Sequence, residues 1–256
     1  MAIKSAVFWP GAPLALASAA LFGMSTPLAK LLLGAGATPL LLAGLLYFGS
    51  GVGLGIVHLA RTLLRLPRAE APLRRADLPW LAAVVLFGGI AGPVLLMVGL
   101  ATTPASTAAL LLNLEGFATM VIAWLAFREN VDRRLLIGAM AILAGAILLS
   151  YGGGPSGAGL GALAIAGACL CWGIDNNLTR KFSSADPVQI AAIKGLVAGG
   201  TNLVLAFAAQ ASLPGLAVVG EAGAVGFFGY GVSIALYVLA LRHLGTARTG
   251  AYFSTA

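Results

Sequence analysis

Long apolar runs follow one another along this chain, with short polar or glycine-rich breaks between them. A helix needs about 20 apolar residues to cross the hydrocarbon core of a bilayer. The pattern predicts eight spanning helices, at residues 12–33, 39–60, 78–101, 104–127, 134–151, 158–179, 187–210 and 217–241. A ninth apolar segment begins near Thr246 and stops at Ala256, too short to cross, so we expect the sequence to end within a helix.

Composition also indicates a membrane protein. Hydrophobic residues make up 60% of the chain and charged residues 9%, whereas a soluble domain carries about 25% charged residues. The first apolar run contains Ala-Ser-Ala, as a secretory signal can, but it continues through Leu33. Because a signal core has only about 7 to 15 apolar residues, this run predicts an uncleaved first span. The predicted fold class is an all-α integral membrane protein, a polytopic helical bundle.

The basic residues predict which side of the membrane each loop faces. The net charge is +7, but Lys and Arg form no stripe with interleaved aromatic residues, which argues against nucleic acid as a partner. They cluster after the second, fourth, sixth and eighth predicted spans, and the intervening loops carry none. By the positive-inside rule these basic loops and the N-terminus are cytoplasmic. Lys30 and Lys194 depart from the pattern.

Two stretches of the chain share a layout. Residues 22–30 and 172–180 each start with an aromatic residue and glycine, then run through small or polar residues to leucine and a basic residue. Pro39 opens the second predicted span as Pro187 opens the seventh. If each half has five spans, the second half enters the membrane from the opposite side, so the matches predict an inverted repeat.

The predicted repeats divide the chain into two parts. Residues 1–151 form the first repeat with five helices, and residues 158–256 form a second, incomplete repeat of three helices and the start of a fourth. Each half also carries two glycines four positions apart, which permit close helix approach. These pairs are Gly51 with Gly55 and Gly195 with Gly199.

Polar residues interrupt the sixth apolar run. Asp175, Asn176 and Asn177 lie at its end, where an unpaired charge or amide costs on the order of several kcal/mol. Helical geometry places Trp172 and Thr179 on one stripe with Asp175 and Asn176, whereas Asn177 points away. We expect the stripe to face a common cavity.

Lys194 is the candidate partner of Asp175. Both residues are predicted about one to two helical turns from the cytoplasmic side, so their side chains could meet. Two interpretations stay open. The residues form a structural ion pair, as buried charges usually do, or the pair gates or neutralises a cavity that faces the cytoplasm.

Glu115 lies near the middle of the fourth predicted span, with no basic residue nearby in that helix. Hydrocarbon disfavours a charged carboxylate, so Glu115 is a candidate for exchanging a proton or for holding a cationic group of a substrate. It shares a helix face with Thr119, while Asn113 points elsewhere. A hydrogen bond between helices is the alternative interpretation.

Tyrosines within the predicted spans are further candidates. Tyr47, Tyr230, Tyr237 and Tyr252 could offer a stacking surface and a hydroxyl to a partly apolar solute, although ordinary packing is the alternative. We place Tyr47 and Tyr237 in the predicted substrate or proton pathway. Its other members are Glu115, Thr119, Trp172, Asp175, Asn176 and Lys194.

Other kinds of chemistry find little support in the sequence. Cys169 and Cys171 lie two positions apart on one predicted helix, so their side chains point to different faces. His58 and His243 have no Cys, Asp or Glu at metal-ligand spacing, and no glycine-rich loop carries the lysine of a nucleotide site. No nucleophile stands beside a base. We predict no metal, no cofactor and no catalytic site.

Several short motifs together resemble a known group of carriers. They are Phe22-Gly23, Trp172-Gly173, the run from Thr103 to Leu112, Phe127-Arg128-Glu129-Asn130 followed by Gly138 and Gly145, and Thr246-Ala247-Arg248-Thr249. This layout resembles the EamA-type branch of the drug/metabolite transporter superfamily. The resemblance implies a ten-helix inverted-repeat carrier of the inner membrane, with a central cavity and alternating access. Gly116 stands where such proteins often carry a proline.

The function expected from these features is secondary transport, with export favoured, of a small organic metabolite or amphiphilic compound. The expected partners are this solute and the lipid bilayer, with protons as a candidate coupling ion and a homodimer as a candidate assembly. Two alternatives stay open: a membrane-embedded enzyme acting on a lipid-linked substrate, and a non-transporting assembly subunit. An enzyme should show a clustered acid, base or nucleophile at one interface, and the sequence predicts none.

Overall fold

A computed structural model describes residues 11–66, 70–131, 133–152 and 159–255. These segments are helical apart from short connections. The helices are α1 (Gly11–Gly34), α2 (Pro39–Leu63), α3 (Arg75–Thr102), α4 (Ala105–Phe127), α5 (Arg133–Gly152), α6 (Leu160–Thr179), α7 (Pro187–Ala208), α8 (Leu216–Leu244) and α9 (Thr246–Phe253). A described helix corresponds to each of the eight predicted spans, with ends that differ by a few residues.

Most of the described helices have the lengths and surfaces of membrane spans. Six of them, α1 to α4, α7 and α8, are long and apolar enough to cross a bilayer. Helices α5 and α6 have 20 residues each, and Asp175 to Asn177 lower the hydropathy of α6. Large apolar side chains cover the outside of the bundle, such as Ile56 at 63% and Val204 at 68% exposure. The predicted fold class, a polytopic helical membrane protein, is confirmed.

Proline and glycine fix several helix ends. Helices α2 and α7 begin at Pro39 and Pro187, where the missing N–H of proline has no helical partner to lose. The Asp186 carboxylate caps α7 by accepting a hydrogen bond from the Val188 N–H at 2.9 Å. Gly245, whose φ is +77°, makes the turn between α8 and α9.

Three of the spanning helices are interrupted. Residues Val85–Ala91 of α3 and Gly226–Val232 of α8 are π-helical. A π-helical turn is wider than an α-helical one, so it distorts the regular hydrogen-bond ladder and bends the helix. Helix α4 is broken at Asn113, between Ala105–Leu112 and Leu114–Phe127. Helices α3 and α4 pack against α6, whereas the π-helical segment of α8 packs against α1 and α2.

The backbones of α2 and α7 touch at three glycines. A Cβ on Gly195 would lie only 2.5 Å from the Gly51 nitrogen, and one on Gly51 would overlap the backbone at Leu196. A Cβ on Gly199 would likewise overlap the α2 backbone, whereas one on Gly55 would meet nothing within 4 Å. Of the glycines predicted to permit close approach, Gly55 is therefore the exception. The contact holds α2 and α7 together in the middle of the bundle.

The remaining helices pack around this pair. Helix α6 packs against α3 and α4, and α1 packs against α8 and α9. Gly99 and Gly161 bring α3 and α6 together, since a Cβ on Gly99 would lie 2.7 Å from the Gly161 carbonyl oxygen. Ser18 ties α1 to α8 by donating a hydrogen bond to the Ser233 carbonyl oxygen at 2.7 Å. The polar end of α6 is thereby surrounded by other helices.

Candidate functional site

A small cavity with a polar and an aromatic wall lies between seven helices, α1, α2, α4 and α6 to α9. Its volume is about 50 Å³, which is room for a few water molecules. Its polar wall consists of Glu115, Asp175, Asn176, Thr179, Lys194 and Ser233. Its aromatic wall consists of Phe22, Tyr47, Trp172, Tyr230, Tyr237 and Phe253. Of the predicted pathway residues, all but Thr119 line this cavity.

Asp175 and Lys194 form an ion pair at the cavity wall. The Lys194 Nζ donates a hydrogen bond to the Asp175 Oδ2. The other oxygen, Asp175 Oδ1, accepts a hydrogen bond from the Thr179 hydroxyl at 3.1 Å. Both charged residues are buried, so each would be strongly destabilised without the other. The geometry therefore pairs the two residues directly.

Glu115 faces the same cavity without a basic partner. Its Oε1 accepts a hydrogen bond from the Asn176 Nδ2 at 3.0 Å, and this nitrogen also lies 3.1 Å from the Thr119 hydroxyl. Thr119 therefore lies behind Asn176, outside the cavity wall. Within the described part of the chain, no Lys, Arg or His forms an ion pair with Glu115. A buried carboxylate of this kind is neutral or has a cation beside it.

Asn177 points away from the cavity, as the helical stripe predicts. Its Nδ2 donates hydrogen bonds to the Gly173 carbonyl oxygen at 2.8 Å and to the Thr119 carbonyl oxygen at 3.0 Å. The Thr119 bond crosses from α6 to α4 and fixes the rotation of α6. Asn177 thus helps to hold Asp175 and Asn176 toward the cavity.

The π-helical segment of α3 shapes the site from behind. The Gly88 carbonyl oxygen accepts two side-chain hydrogen bonds, from the Tyr47 hydroxyl at 2.6 Å and from the Trp172 Nε1 at 3.0 Å. A Cβ on Gly88 would overlap the Asp175 carboxylate, and one on Gly92 would lie 2.8 Å from the Trp172 Nε1. The glycines of α3 therefore leave the space that Asp175 and Trp172 fill.

The six aromatic side chains form one connected cluster. The ring centroid of Phe22 lies 5.4 Å from that of Trp172, 5.5 Å from that of Tyr230 and 5.3 Å from that of Phe253. Tyr47 contacts Tyr230 at 5.2 Å, and Tyr237 contacts Phe253 at 5.0 Å. Phe22 is therefore the centre of a cluster that joins α1, α2, α6, α8 and α9.

Sequence reasoning missed part of this wall. It did not select Phe22, Phe253 or Ser233. For Phe22 a signal existed, because Phe22-Gly23 matches Trp172-Gly173 and Trp172 was selected. Phe253 and Ser233 carry no comparable signal, since a single phenylalanine at a helix end gives no periodicity and a lone serine can satisfy its hydroxyl on the backbone of its own helix.

Charged groups fasten the helix ends on the side predicted to be cytoplasmic. Glu129, between α4 and α5, pairs with Arg180 and accepts hydrogen bonds from the N–H groups of Thr246 at 3.2 Å and Ala247 at 3.0 Å. The carboxylate therefore caps the start of α9 and ties it to the end of α6. Sequence reasoning treated Glu129 as part of a motif and did not foresee this role.

A second set of charges fastens α2 to α7 and α8 on the same side. Asp186 lies 3.8 Å from the His58 Nδ1 and 4.0 Å from the Arg61 Nη1. Arg242, at the end of α8, lies 3.7 Å from Glu70 and donates a hydrogen bond to the Ser183 carbonyl oxygen. In this conformation the predicted cytoplasmic ends of several helices are held together.

Lys30, one of the two exceptions to the charge pattern, has a local explanation. Its ammonium donates a hydrogen bond to the carbonyl oxygen of Leu100 and another, at 3.3 Å, to that of Ala101. These carbonyl groups belong to the last turn of α3, where no further helical N–H is available. Lys30 therefore caps α3 from α1.

A larger groove of about 410 Å³ lies between α4, α5 and α9. Its wall is mostly small or apolar, with Arg248 and Tyr252 among its polar residues. Gly116 lines it, and a Cβ on Gly116 would lie 2.5 Å from the Gly250 carbonyl oxygen. The glycine at this position thus permits α9 to approach α4. The smaller cavity is the candidate site because Glu115, Asp175 and Lys194 converge there.

The chain is similar to known proteins in sequence and in fold. The EamA-like transporter family matches residues 9–151. An uncharacterized transporter from Methanothermobacter thermautotrophicus is 28% identical over 247 residues, which cover 91% of this chain and 71% of that protein. A protein known from a crystal structure has a similar fold, with a TM-score of 0.72 and 18% sequence identity. The match covers 96% of this chain and 84% of the chain in that crystal structure. The chain therefore belongs to the EamA-like transporter family, within the drug/metabolite transporter superfamily.

Proposed function

We propose that this protein is a secondary active transporter that exports a small organic metabolite or amphiphilic compound by alternating access. The observation that carries the proposal is the buried cavity in which Glu115, Asp175 and Lys194 converge. Ionisable side chains within a membrane bundle are costly, and they usually mark the path of a substrate or an ion. Membership of a transporter family supports the same conclusion.

The proposed movement uses two inverted repeats, residues 1–151 and 158–256. Several packing features support this division. The first helix of each half packs against the third helix of the other, α1 against α8 and α6 against α3, while the second helices α2 and α7 cross at their glycines. Both third helices carry a π-helical segment. Rocking of one half against the other around the cavity would open it alternately to the two sides.

Glu115 is proposed as the coupling residue. The negative charge of Asp175 is balanced by Lys194, whereas Glu115 has only the amide of Asn176 and the hydroxyl groups around the cavity beside it. The titratable neighbours are Tyr47 on α2, Asp175 on α6, Lys194 on α7, and Tyr230 and Tyr237 on α8. A proton on Glu115 would neutralise the one uncompensated charge of the described cavity wall. Release of this proton would free the carboxylate for a substrate.

The other predicted pathway residues have supporting roles in this proposal. Asp175, Asn176, Trp172 and Lys194 shape the side of the cavity nearer the cytoplasm, and Tyr47 and Tyr237 contribute rings to its wall.

The proposed location is the inner membrane, with the N-terminus in the cytoplasm, because the basic loops all fall on one side. The fastened helix ends at Glu129 and Asp186 then close the cytoplasmic side.

Metabolite profiling of proteoliposomes tests this function. Vesicles are loaded with a mixture of small metabolites, with and without a pH gradient, and solutes that cross are identified by mass spectrometry. We expect at least one solute to move faster than in protein-free vesicles, and to respond to the gradient. Glu115→Gln should abolish the response, whereas Glu221→Gln, which alters an exposed carboxylate of α8, should keep it. Absence of any protein-dependent movement would refute a transport function.

A further inference from the structure

The charges in the cavity leave one negative group uncompensated. Asp175 and Lys194 neutralise each other, and Glu115 is the third charged residue of the wall. Its hydrogen bond comes from a neutral amide, that of Asn176. When Glu115 is ionised, the cavity therefore has a net charge of about −1, which attracts a cation.

The aromatic residues provide the second observation. Phe22 touches three other rings of the wall, and its contact with Trp172 is edge-to-face, with the ring planes at 89°. Aromatic faces carry partial negative charge, so several rings around one space attract an alkylated ammonium group. Such a group has apolar substituents that suit a wall with few free hydrogen-bond donors.

Tyr237 provides a third observation. Its side chain lines the cavity and is 5% exposed. Among the residues that the structure describes, its hydroxyl has no hydrogen-bond partner. A buried hydroxyl without a partner is costly, and a polar substituent of a bound solute would satisfy it.

The same arrangement disfavours an anion. Lys194 is the only cationic residue of the described cavity wall, and its ammonium is held by Asp175. A substrate carboxylate would have to displace Asp175, and the cavity would then contain the substrate carboxylate with those of Asp175 and Glu115. Like charges in a poorly solvated space repel strongly.

We propose that the transported compound is an organic cation, whose alkylated ammonium group lies among Phe22, Trp172 and Tyr230 and beside the Glu115 carboxylate. This inference rests on the proposed transport function and adds the substrate class to it. The polar tail of the compound meets the Tyr237 hydroxyl. The present cavity of about 50 Å³ is too small for such a group, so binding requires the conformation in which the two halves separate.

A series of three isosteric probes tests the substrate class. Choline carries a trimethylammonium group, 3,3-dimethyl-1-butanol has carbon in place of the nitrogen, and 3,3-dimethylbutanoate carries a negative charge. Binding of each probe to the protein in nanodiscs is measured by calorimetry. We expect choline to bind about tenfold more tightly than either isostere, since a desolvated cation gains from both the rings and the carboxylate.

Variants of the wall separate the two contributions. Glu115→Gln should lower the affinity ratio of choline to 3,3-dimethyl-1-butanol by about threefold, and the rings should supply the preference that remains. Phe22→Leu, which keeps an apolar side chain and removes the ring, should lower the ratio by about threefold to tenfold. Phe228→Leu removes an exposed ring of α8 and should leave the ratio unchanged. Because both probes use one site, partial unfolding of a variant does not alter the ratio.

The outcomes distinguish this inference from the broader function. Equal or tighter binding of the neutral or anionic probe, or an unchanged ratio in Glu115→Gln, would overturn the organic-cation assignment. If the proteoliposomes still move other metabolites, the transporter proposal stands and only the substrate class is wrong. If choline binds selectively and no solute crosses the membrane, the cation site stands and the transport function fails.

Discussion

The carboxylate of Asp175 fills the space that a Cβ on Gly88 would occupy. Gly88 lies in the π-helical segment of α3, and Asp175 lies near the end of α6. The ion pair between Asp175 and Lys194 therefore packs directly against bare backbone. The neighbouring helix α6 therefore requires glycine at position 88, although α-helix propensity alone would favour alanine.

Replacing Gly88 with alanine should push the Asp175 carboxylate out of line with Lys194. Overpacking of a filled interior costs about 1 to 3 kcal/mol, so we expect Gly88→Ala to lower the thermal unfolding temperature and to reduce transport. Thermal unfolding in nanodiscs, followed by circular dichroism, measures the first effect. Gly55→Ala is the matched control, since its Cβ would meet nothing within 4 Å. Unchanged stability of Gly88→Ala would contradict the close approach of α3 and α6.

Lys194→Met should leave Asp175 as a buried charge without a partner. Breaking one side of a buried pair costs about 3 to 5 kcal/mol, so the yield of folded protein should fall sharply. The double variant Asp175→Asn with Lys194→Met removes both charges and should recover most of that yield. Transport by the double variant then separates the two interpretations of the pair. If it transports normally, the pair is structural and the gating role is excluded.

The bilayer explains why the helices could be predicted so well from sequence. A span must be about 20 apolar residues long, and Pro39 and Pro187 mark two of the starts. The stripe of Trp172, Asp175, Asn176 and Thr179 was predictable for a related reason. Polar residues in an apolar helix must face other helices, so their spacing gives their direction.

Other features depend on neighbours that are distant in sequence. The sequence of Val85–Ala91 does not distinguish its π-helical geometry from that of an ordinary apolar helix, because the side chains that bind its Gly88 carbonyl oxygen come from other helices. Phe253 could not be placed, since it lies at the end of a short helix and its neighbours Tyr252 and Ser254 form no apolar stripe that gives its direction. The contact of Glu129 with the start of α9 joins positions 117 residues or more apart.

Substrate binding should tighten as the pH rises, because a proton and a substrate cation compete for Glu115. At low pH the carboxylate is protonated and neutral, and at higher pH it is ionised and attracts the cation. Calorimetric titration of choline over a pH series measures this dependence. Glu115→Gln should bind weakly at every pH, with Glu221→Gln as the control that keeps the slope. Binding that is independent of pH in the unmodified protein would exclude competition at Glu115.

Glu129→Ala should loosen the start of α9. The carboxylate caps two N–H groups of that helix and pairs with Arg180, and loss of a helix cap costs about 1 kcal/mol. Glu129→Gln keeps an acceptor oxygen for the N–H groups and removes only the charge, so its effect should be smaller. Hydrogen exchange of the amides of Thr246 and Ala247 measures the change directly.

The order of the two Glu129 variants is the informative result. Exchange at both amides should be fastest in Glu129→Ala, intermediate in Glu129→Gln and slowest in the unmodified protein, while amides in the middle of α2 stay unchanged. Because α9 carries Phe253 into the cavity wall, a looser start of α9 should also weaken choline binding in the same order. Equal exchange in all three proteins would mean that the Glu129 carboxylate does not hold α9 in the membrane-embedded protein.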